Sequence, residues 1–204
     1  MSHEVHIARH YLRLPLDYRL RLINHGICPA QLDIALETKG SKFVANLRKE
    51  SIETPQSLIT RIFIEAKRLQ QARKLRWKTS NSRRLVVFCF ETTYPVGEDR
   101  LVEIDTLTLR ERARVSKSRR GGLQGDDCEI LTVTGKHPTL TRHITVEMSF
   151  AKSEPCLFHM TAYPGVYAPD FPSQHQTQSQ CRISQTFWDT HVFIDSPKRL
   201  TAFI

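Results

Sequence analysis

The sequence predicts an α+β protein in which N-terminal helices are followed by an antiparallel β-sheet. Three observations support this fold class. An apolar stripe with helical spacing lies before residue 80, residues 85–90 are apolar on both faces, and residues 144–163 contain two segments of alternating apolar and polar residues. We therefore predict a helical region with a basic long helix over residues 1–80 and a sheet region over residues 81–204, and we expect one compact unit.

The composition indicates a polyanion as the first partner to consider. The 204 residues include 30 Lys and Arg against 21 Asp and Glu, a formal net charge of +9. No segment approaches the roughly 20 apolar residues of a spanning helix, and the N-terminus lacks a secretory pattern. RNA and DNA therefore outrank a membrane as partner, and we expect a cytoplasmic location. The five cysteines are odd in number and widely spaced, which favours neither a disulfide framework nor a zinc site.

Short helices are expected in the first 50 residues. The apolar spacing over residues 14–23 predicts a first helix, which Gly26 ends. A second helix is expected from Cys28-Pro29 to about Thr38, and a third, turn-rich segment over residues 41–50. The spacing of His3, His6 and His10 would suit metal ligands on a helix, but a frayed terminus is the expected state.

The longest helix is predicted to begin at Pro55, with Thr54 as its N-cap. Its apolar stripe runs from Leu58 to Leu69 at spacings of three and four residues. The opposite face is strongly basic. Such a face can simply be solvated, but a nearly uncompensated run of positive charge also favours phosphate contacts. The candidate nucleic-acid-binding residues of this helix are Lys67, Arg68 and Lys74.

The middle of the chain is predicted to alternate strands with a basic loop. Strands are expected at residues 85–90, 101–104 and 129–134, and a mobile loop over residues 106–125. Arginine and lysine side chains on such a loop suit phosphate binding and charge stabilisation, although a disordered solvated loop is an equal alternative for any single residue. The candidate residues of the loop are Arg112, Arg114, Lys117 and Arg119.

A hairpin is predicted where residues 144–150 and 157–163 alternate in polarity. The expected register places His143 opposite Tyr163, Thr145 opposite Thr161, and Glu147 opposite His159. All six residues then share one face, while the other face is apolar.

This polar face can be a solvated surface or an acid–base site. Histidine titrates near neutrality, and a neighbouring carboxylate orients and tunes it. The candidate catalytic residues on the face are His143, His159, Thr161 and Tyr163. After the hairpin we expect a surface loop over residues 173–180 and an apolar segment over residues 187–194 that docks on the sheet. In that segment, His191 either packs or faces the site.

Three short motifs resemble those of a known group of proteins. They are the strand end TAYPG at residues 161–165, APDFP at residues 168–172 and FWDTH at residues 187–191, with the basic loop upstream. The chain is thereby similar to the barnase–EndoU–colicin–RelE superfamily of metal-independent ribonucleases, many of them bacterial toxins. The resemblance covers roughly residues 84 to 194. It implies a twisted antiparallel sheet of about four strands whose concave face cleaves RNA.

The resemblance also implies a mechanism in which the 2′-hydroxyl attacks the adjacent phosphorus without metal or cofactor. Thr161 and Tyr163 match the strand-end motif and would position the phosphate. His143 would act as base or acid and His159 as its counterpart, while Arg112, Arg114 and Lys117 would stabilise charge. An acidic antitoxin or immunity protein is the implied protein partner. The alternative hypothesis is a basic protein that binds nucleic acid or a partner without catalysis.

Overall fold

The computed structural model describes residues 7–8, 10–11, 14–30, 32, 41–43, 54–75, 77–79, 83–121, 127–151, 157–169, 172 and 176–195. The described helices are α1 (Leu16–Asn24), α2 (Pro55–Gln71), α3 (Leu109–Arg112) and α4 (Gln178–Thr190). A 3₁₀ turn covers Ile104–Thr106. Helices precede the sheets, so the predicted α+β class is confirmed.

The described strands form three sheets, whereas one sheet was expected. The strands are β1 (Lys42–Phe43), β2 (Trp77–Thr79), β3 (Arg83–Glu91), β4 (Gly97–Asp99), β5 (Leu101–Glu103), β6 (Val115–Gly121), β7 (Asp127–Thr134), β8 (Thr139–Thr141), β9 (His143–Ala151), β10 (Leu157–Pro164) and β11 (His191–Asp195). Their orders are β10-β9-β3-β2, β1-β4-β8 and β5-β11-β7-β6. In the last sheet, β11 runs parallel to β7 and antiparallel to β5.

Helix α2 begins where the sequence predicts. The Thr54 hydroxyl accepts a hydrogen bond from the Ser57 backbone N–H, the Ser57 side chain caps the Thr54 N–H in return, and Pro55 occupies the first helical position. Leu58 and Ile62 are fully buried. The helix is therefore fixed by local signals and by one apolar stripe.

The sheet β10-β9-β3-β2 presents its apolar face to the main core. This core includes Ile144, Val146 and Met160 of the sheet together with Leu58 and Ile62 of α2. Side chains alternate across a strand, so the odd-numbered residues of β3, β9 and β10 share the opposite face. That face carries the candidate site.

The register of the β9–β10 hairpin differs from the expected one by one residue pair. Thr161 lies opposite Glu147, Tyr163 opposite Thr145, and His159 opposite Ser149. The pairing is irregular between Leu157 and His159. The expected register assumed regular pairing from the turn onward, so this irregularity accounts for the difference. The predicted face is kept, because a shift by a whole pair does not exchange the two faces.

The described part of the basic segment predicted as a mobile loop, residues 106–121, is mostly ordered secondary structure, and residues 122–125 lie outside the described residues. Residues 109–112 form α3, and residues 115–121 form β6, which pairs antiparallel with β7. Thr108 caps α3 by accepting from the Glu111 backbone N–H. The Glu111 carboxylate accepts a hydrogen bond from Lys136 at 2.9 Å. The loop prediction was wrong because strand pairing, and not local propensity, fixes this segment.

The chain divides into two compact units. The first comprises residues 1–98 and 140–166, and the second comprises residues 99–139 and 167–204. The predicted boundary at residue 80 lies inside the first unit.

Two secondary-structure elements also differ from expectation. Residues 42–43 form a strand where a turn-rich segment was expected. The segment expected to dock on the sheet, residues 187–194, is divided between the end of α4 and strand β11.

The short strand β1 carries a buried charge. Lys42 lies directly opposite Glu98 of β4, and the two residues are 1% and 0% exposed. The same pairing sets Phe43 opposite Gly97, where an added Cβ would lie 2.5 Å from the Lys42 carbonyl oxygen. The close approach of these strands therefore requires glycine at position 97.

Among the described residues, none of the helices combines the length and apolar character required to cross a membrane.

Candidate functional site

The odd-numbered face of the first sheet is polar but only partly open to solvent. Thr145, Ser149 and Thr161 are buried, whereas Glu147 and Tyr163 are half-buried. The Thr145 hydroxyl donates to the Gly165 carbonyl oxygen at 2.8 Å. A purely solvated surface does not bury its threonines, so this face is packed in part by other groups.

His10 is one of the groups that lie against this face. Its Nε2 lies 3.3 Å from the Thr161 hydroxyl oxygen, and its ring lies 5.8 Å from the Tyr163 ring. The backbone holds it there: the His10 carbonyl oxygen accepts from the Phe43 N–H, and the next residue, Tyr11, packs on the Phe43 ring at 5.1 Å. The backbone of His10 is therefore held in place by strand β1 and by the packing of the adjacent Tyr11.

A carboxylate lies beside this histidine and hydroxyl pair. The Tyr163 hydroxyl donates to Glu147 Oε1 at 3.2 Å, and Glu147 is the cross-strand partner of Thr161. Cross-strand neighbours have Cβ atoms about 5 Å apart, which is within side-chain reach. His10, Glu147, Thr161 and Tyr163 together are called the His10 cluster below.

The His10 cluster contains the groups that acid–base chemistry needs. An imidazole titrates near neutrality and can donate or accept a proton, and a carboxylate can accept one. The Thr161 hydroxyl adds a donor for an anionic oxygen. The cluster can thus transfer protons at two points of one bound molecule.

The structure does not bring His143 and His159 together. His159 pairs with Ser149, six residues along β9 from His143. At about 3.3 Å per residue this is a separation of roughly 20 Å along the sheet. His143 is exposed at the end of β9, next to the Arg142–Glu91 ion pair of 3.3 Å, and His159 is half-buried. The two imidazoles share a face, but they do not form an acid and base pair around one phosphate.

Cys89 also lies on this face, opposite Thr145. Burial raises the pKa of the Cys89 thiol, and its hydrogen bond with Thr145 lowers the pKa by less. A thiol with a raised pKa is a poor nucleophile near neutrality. Cys89 is exposed, and with its raised pKa the thiol is expected to be mostly protonated at neutral pH.

The basic face of α2 is partly compensated. Arg68 Nε donates to Glu65 Oε2 at 2.7 Å, and Arg61 Nε lies 3.4 Å from the other Glu65 oxygen. Lys67 and Lys74 are exposed. The same outward face also exposes Phe63 by 47% and Ile64 by 57%. An exposed surface that combines an aromatic ring with cations remains on this helix.

The four cations predicted in the basic loop all belong to the second unit. Arg112 donates to the carbonyl oxygens of Leu107 and Asp105, at 3.1 and 3.0 Å. The exposed Arg114 approaches Gly135, where an added Cβ would lie 2.5 Å from its Nη1. Lys117 is exposed on β6, and Arg119 lies on the same strand. Arg112 thus has a structural role at the end of α3.

His191 is a packing histidine in the second unit. Its ring stacks on the Phe187 ring at 3.7 Å, and its Nδ1 lies 2.8 Å from the Phe187 carbonyl oxygen. These contacts join the end of α4 to the start of β11. Of the two alternatives for this residue, the packing one describes its environment.

His10 is the residue that sequence reasoning missed. It was assigned to a frayed terminus, whereas it contacts a residue 151 positions later in the chain. The available signal was local: Ile7 and Tyr11, on either side of it, are apolar at helical spacing, and both are fully buried. His3 and His6 lie outside the described residues.

Comparisons with known proteins leave the resemblance to ribonucleases untested. No protein-family model matches the chain, and no curated protein is similar to it in sequence. Across the described ranges, no three His, Cys, Asp or Glu residues converge as metal ligands.

Proposed function

We propose that the chain is a toxin-like, metal-independent endoribonuclease of the barnase–EndoU–colicin–RelE type, with the His10 cluster as its catalytic centre. The observation that carries the proposal is the contact between His10 and Thr161 beside the hydrogen bond between Tyr163 and Glu147, all on one sheet face. The motif resemblance and the net charge of +9 support RNA as the substrate.

The proposed reaction is a transesterification within the RNA strand. Glu147 accepts the proton of the 2′-hydroxyl as its oxygen attacks the adjacent phosphorus. The bond from phosphorus to the 5′-oxygen breaks, and protonated His10 donates a proton to that leaving oxygen. The Thr161 hydroxyl donates to a non-bridging phosphate oxygen, while the Tyr163 hydroxyl keeps its hydrogen bond to Glu147 and orients that carboxylate. The products are a 2′,3′-cyclic phosphate and a 5′-hydroxyl end.

Cleavage of labelled RNA in the presence of EDTA tests this proposal. We expect 2′,3′-cyclic phosphate ends that accumulate with time. The variants His10→Gln and Glu147→Gln should each lower the rate by about a hundredfold or more, the scale of an acid–base group. The matched controls are His137→Gln and Glu103→Gln, since both residues are exposed in the second unit. These controls should cleave like the wild type.

The variant His143→Gln separates the two assignments of the acid or base. The sequence-based hypothesis expects a large loss of activity, whereas the His10 cluster does not include this residue. If His143→Gln abolishes cleavage while His10→Gln retains it, the assignment to His10 is wrong. If no cyclic phosphate forms with any RNA tested, the ribonuclease proposal itself fails.

The second candidate is a basic protein that binds nucleic acid without cleaving it. It is favoured by the exposed α2 surface, on which Phe63 and Ile64 lie beside Lys67 and Arg68. Aromatic rings and cations are the groups that single-stranded nucleic acid stacks on and pairs with. Binding that weakens steeply with salt, with no new RNA ends, would identify this function. The same basic surface suits an acidic antitoxin or immunity protein.

A further inference from the structure

The second unit contains a cavity that the proposed reaction does not use. Its volume is about 510 Å³, within the roughly 300–1,000 Å³ range of small-molecule sites. Strands β6 and β7 contribute Lys117, Ile130 and Leu131, and helix α4 contributes Gln185, Trp188 and Asp189. The cavity therefore lies between strands β6 and β7 and helix α4.

The walls of this cavity combine an apolar surface with a cation and a carboxylate. Ile130 and Trp188 are buried, and the Trp188 indole N–H donates to the Pro169 carbonyl oxygen at 3.1 Å, which fixes the ring. Lys117 provides a cation on the strand side. Asp189 provides a carboxylate on the helix side. A ligand with an apolar planar part and an anionic part matches these walls.

The helix side of the cavity presents hydrogen-bond acceptors. The Gln185 side-chain amide donates to Asp189 Oδ1 at 2.8 Å. Within the part of the chain that the structure describes, the Gln185 carbonyl oxygen and the second Asp189 oxygen accept no hydrogen bond, so both can accept from a ligand. Both are acceptors. They favour a ring that carries an amino group, as carboxylates do when they accept from the amino group of cytosine.

We propose that this cavity binds one nucleotide of an RNA strand, with an amino-bearing base such as cytosine inside and its phosphate at Lys117. The inference rests on the proposed function for the choice of RNA as ligand. The base lies against Trp188 and donates its amino hydrogen atoms to Asp189. The cavity thus selects which base is held, whereas the His10 cluster does the chemistry.

Two-dimensional amide NMR with mononucleotides tests the proposal without any cleavable bond. The chain has two tryptophans, and Trp77 belongs to the first unit, so its indole resonance is an internal control. The variant Trp77→Phe assigns the two signals. We expect cytidine monophosphate to shift the Trp188 signal and leave the Trp77 signal in place. Uridine monophosphate should bind about tenfold more weakly, since it lacks the amino group that a charged acceptor would bind.

Three further measurements fix the roles of the walls. Asp189→Asn should remove the difference between the two nucleotides, because an amide can donate as well as accept. Lys117→Gln should weaken cytidine monophosphate about tenfold, while Arg182→Gln, an exposed residue of α4 outside the cavity, should not. Ribose 5-phosphate, which lacks a base, should not shift the Trp188 signal.

The outcomes separate this proposal from the ribonuclease proposal. Equal binding of both nucleotides to the wild type, equal binding of ribose 5-phosphate, or no shift at millimolar concentrations would overturn the nucleotide site even if RNA is cleaved. Selective binding without RNA cleavage would keep the nucleotide site and remove the ribonuclease. Each amide spectrum also reports whether a variant is folded. The comparison of the two nucleotides uses the wild-type protein and therefore does not depend on the folding of any variant.

Discussion

Removing one member of the buried Lys42–Glu98 pair is expected to destabilise the first unit strongly. The two residues lie opposite each other across β1 and β4, and both are buried. Lys42→Met keeps the aliphatic length and removes the ammonium group. It leaves the Glu98 carboxylate buried without the opposite charge across the strand pair.

The expected loss follows from the geometry of the pair. Cross-strand Cβ atoms lie about 5 Å apart, so the charged groups can approach to about 4 Å. At that distance and an effective dielectric constant of about 20, the attraction is about 4 kcal/mol. This agrees with the 3–5 kcal/mol that is typical when one partner of a buried pair is removed. A stability of about 5–15 kcal/mol would then become marginal.

Urea unfolding followed by circular dichroism measures this effect. Lys42→Met and Glu98→Gln should each lower the free energy of unfolding by about 3–5 kcal/mol, and the double variant by clearly less than their sum. The control Lys67→Met removes an exposed lysine and should change the free energy by less than about 0.5 kcal/mol. Losses below about 1 kcal/mol, or losses that add in the double variant, would refute the reasoning.

Two further predictions concern single groups. The Tyr11 hydroxyl is buried and has no hydrogen-bond partner among the described residues, so Tyr11→Phe should raise the free energy of unfolding by about 1 kcal/mol, and a loss in urea unfolding would contradict this. Hydrogen bonds from Lys136, the largest cause, and from the Thr108 backbone N–H and hydroxyl lower the pKa of Glu111 from 4.5 to about 2. This stabilisation is present above pH 4.5 and lost as the pH falls toward 2. The advantage of the wild type over Glu111→Gln should therefore shrink in acid unfolding experiments over that interval.

Local signals in the sequence were sufficient for the elements whose structure they determine. Thr54 and Pro55 predict the start of α2, and the apolar run at residues 85–90 predicts β3. The alternating residues of β9 and β10 predict which face each side chain occupies. In each case a propensity and a burial pattern agree, so the neighbouring sequence is enough.

The failures share a different physical cause. The β9–β10 register depends on an irregularity between Leu157 and His159 that alternation cannot reveal. Residues 115–121 are too polar and basic to be recognised as a strand, and only their pairing with β7 makes them one. His10 reaches Thr161 through the packing of Tyr11 on Phe43. These features come from long-range contacts, which a local pattern does not encode.

The position of β6 gives its positive charges a second consequence. Among the described strands, β6 is the last in the order β5-β11-β7-β6, so its outer side forms an edge of the described sheet. Unpaired edges are templates for aggregation, and lysine or arginine on them repels a second copy of the chain. Lys117, Arg119 and Arg120 of β6 are therefore expected to oppose pairing between copies of the chain at this edge, whether or not RNA binds. A variant that neutralises all three charges could change RNA binding and aggregation at the same time. Each charge is therefore better replaced singly.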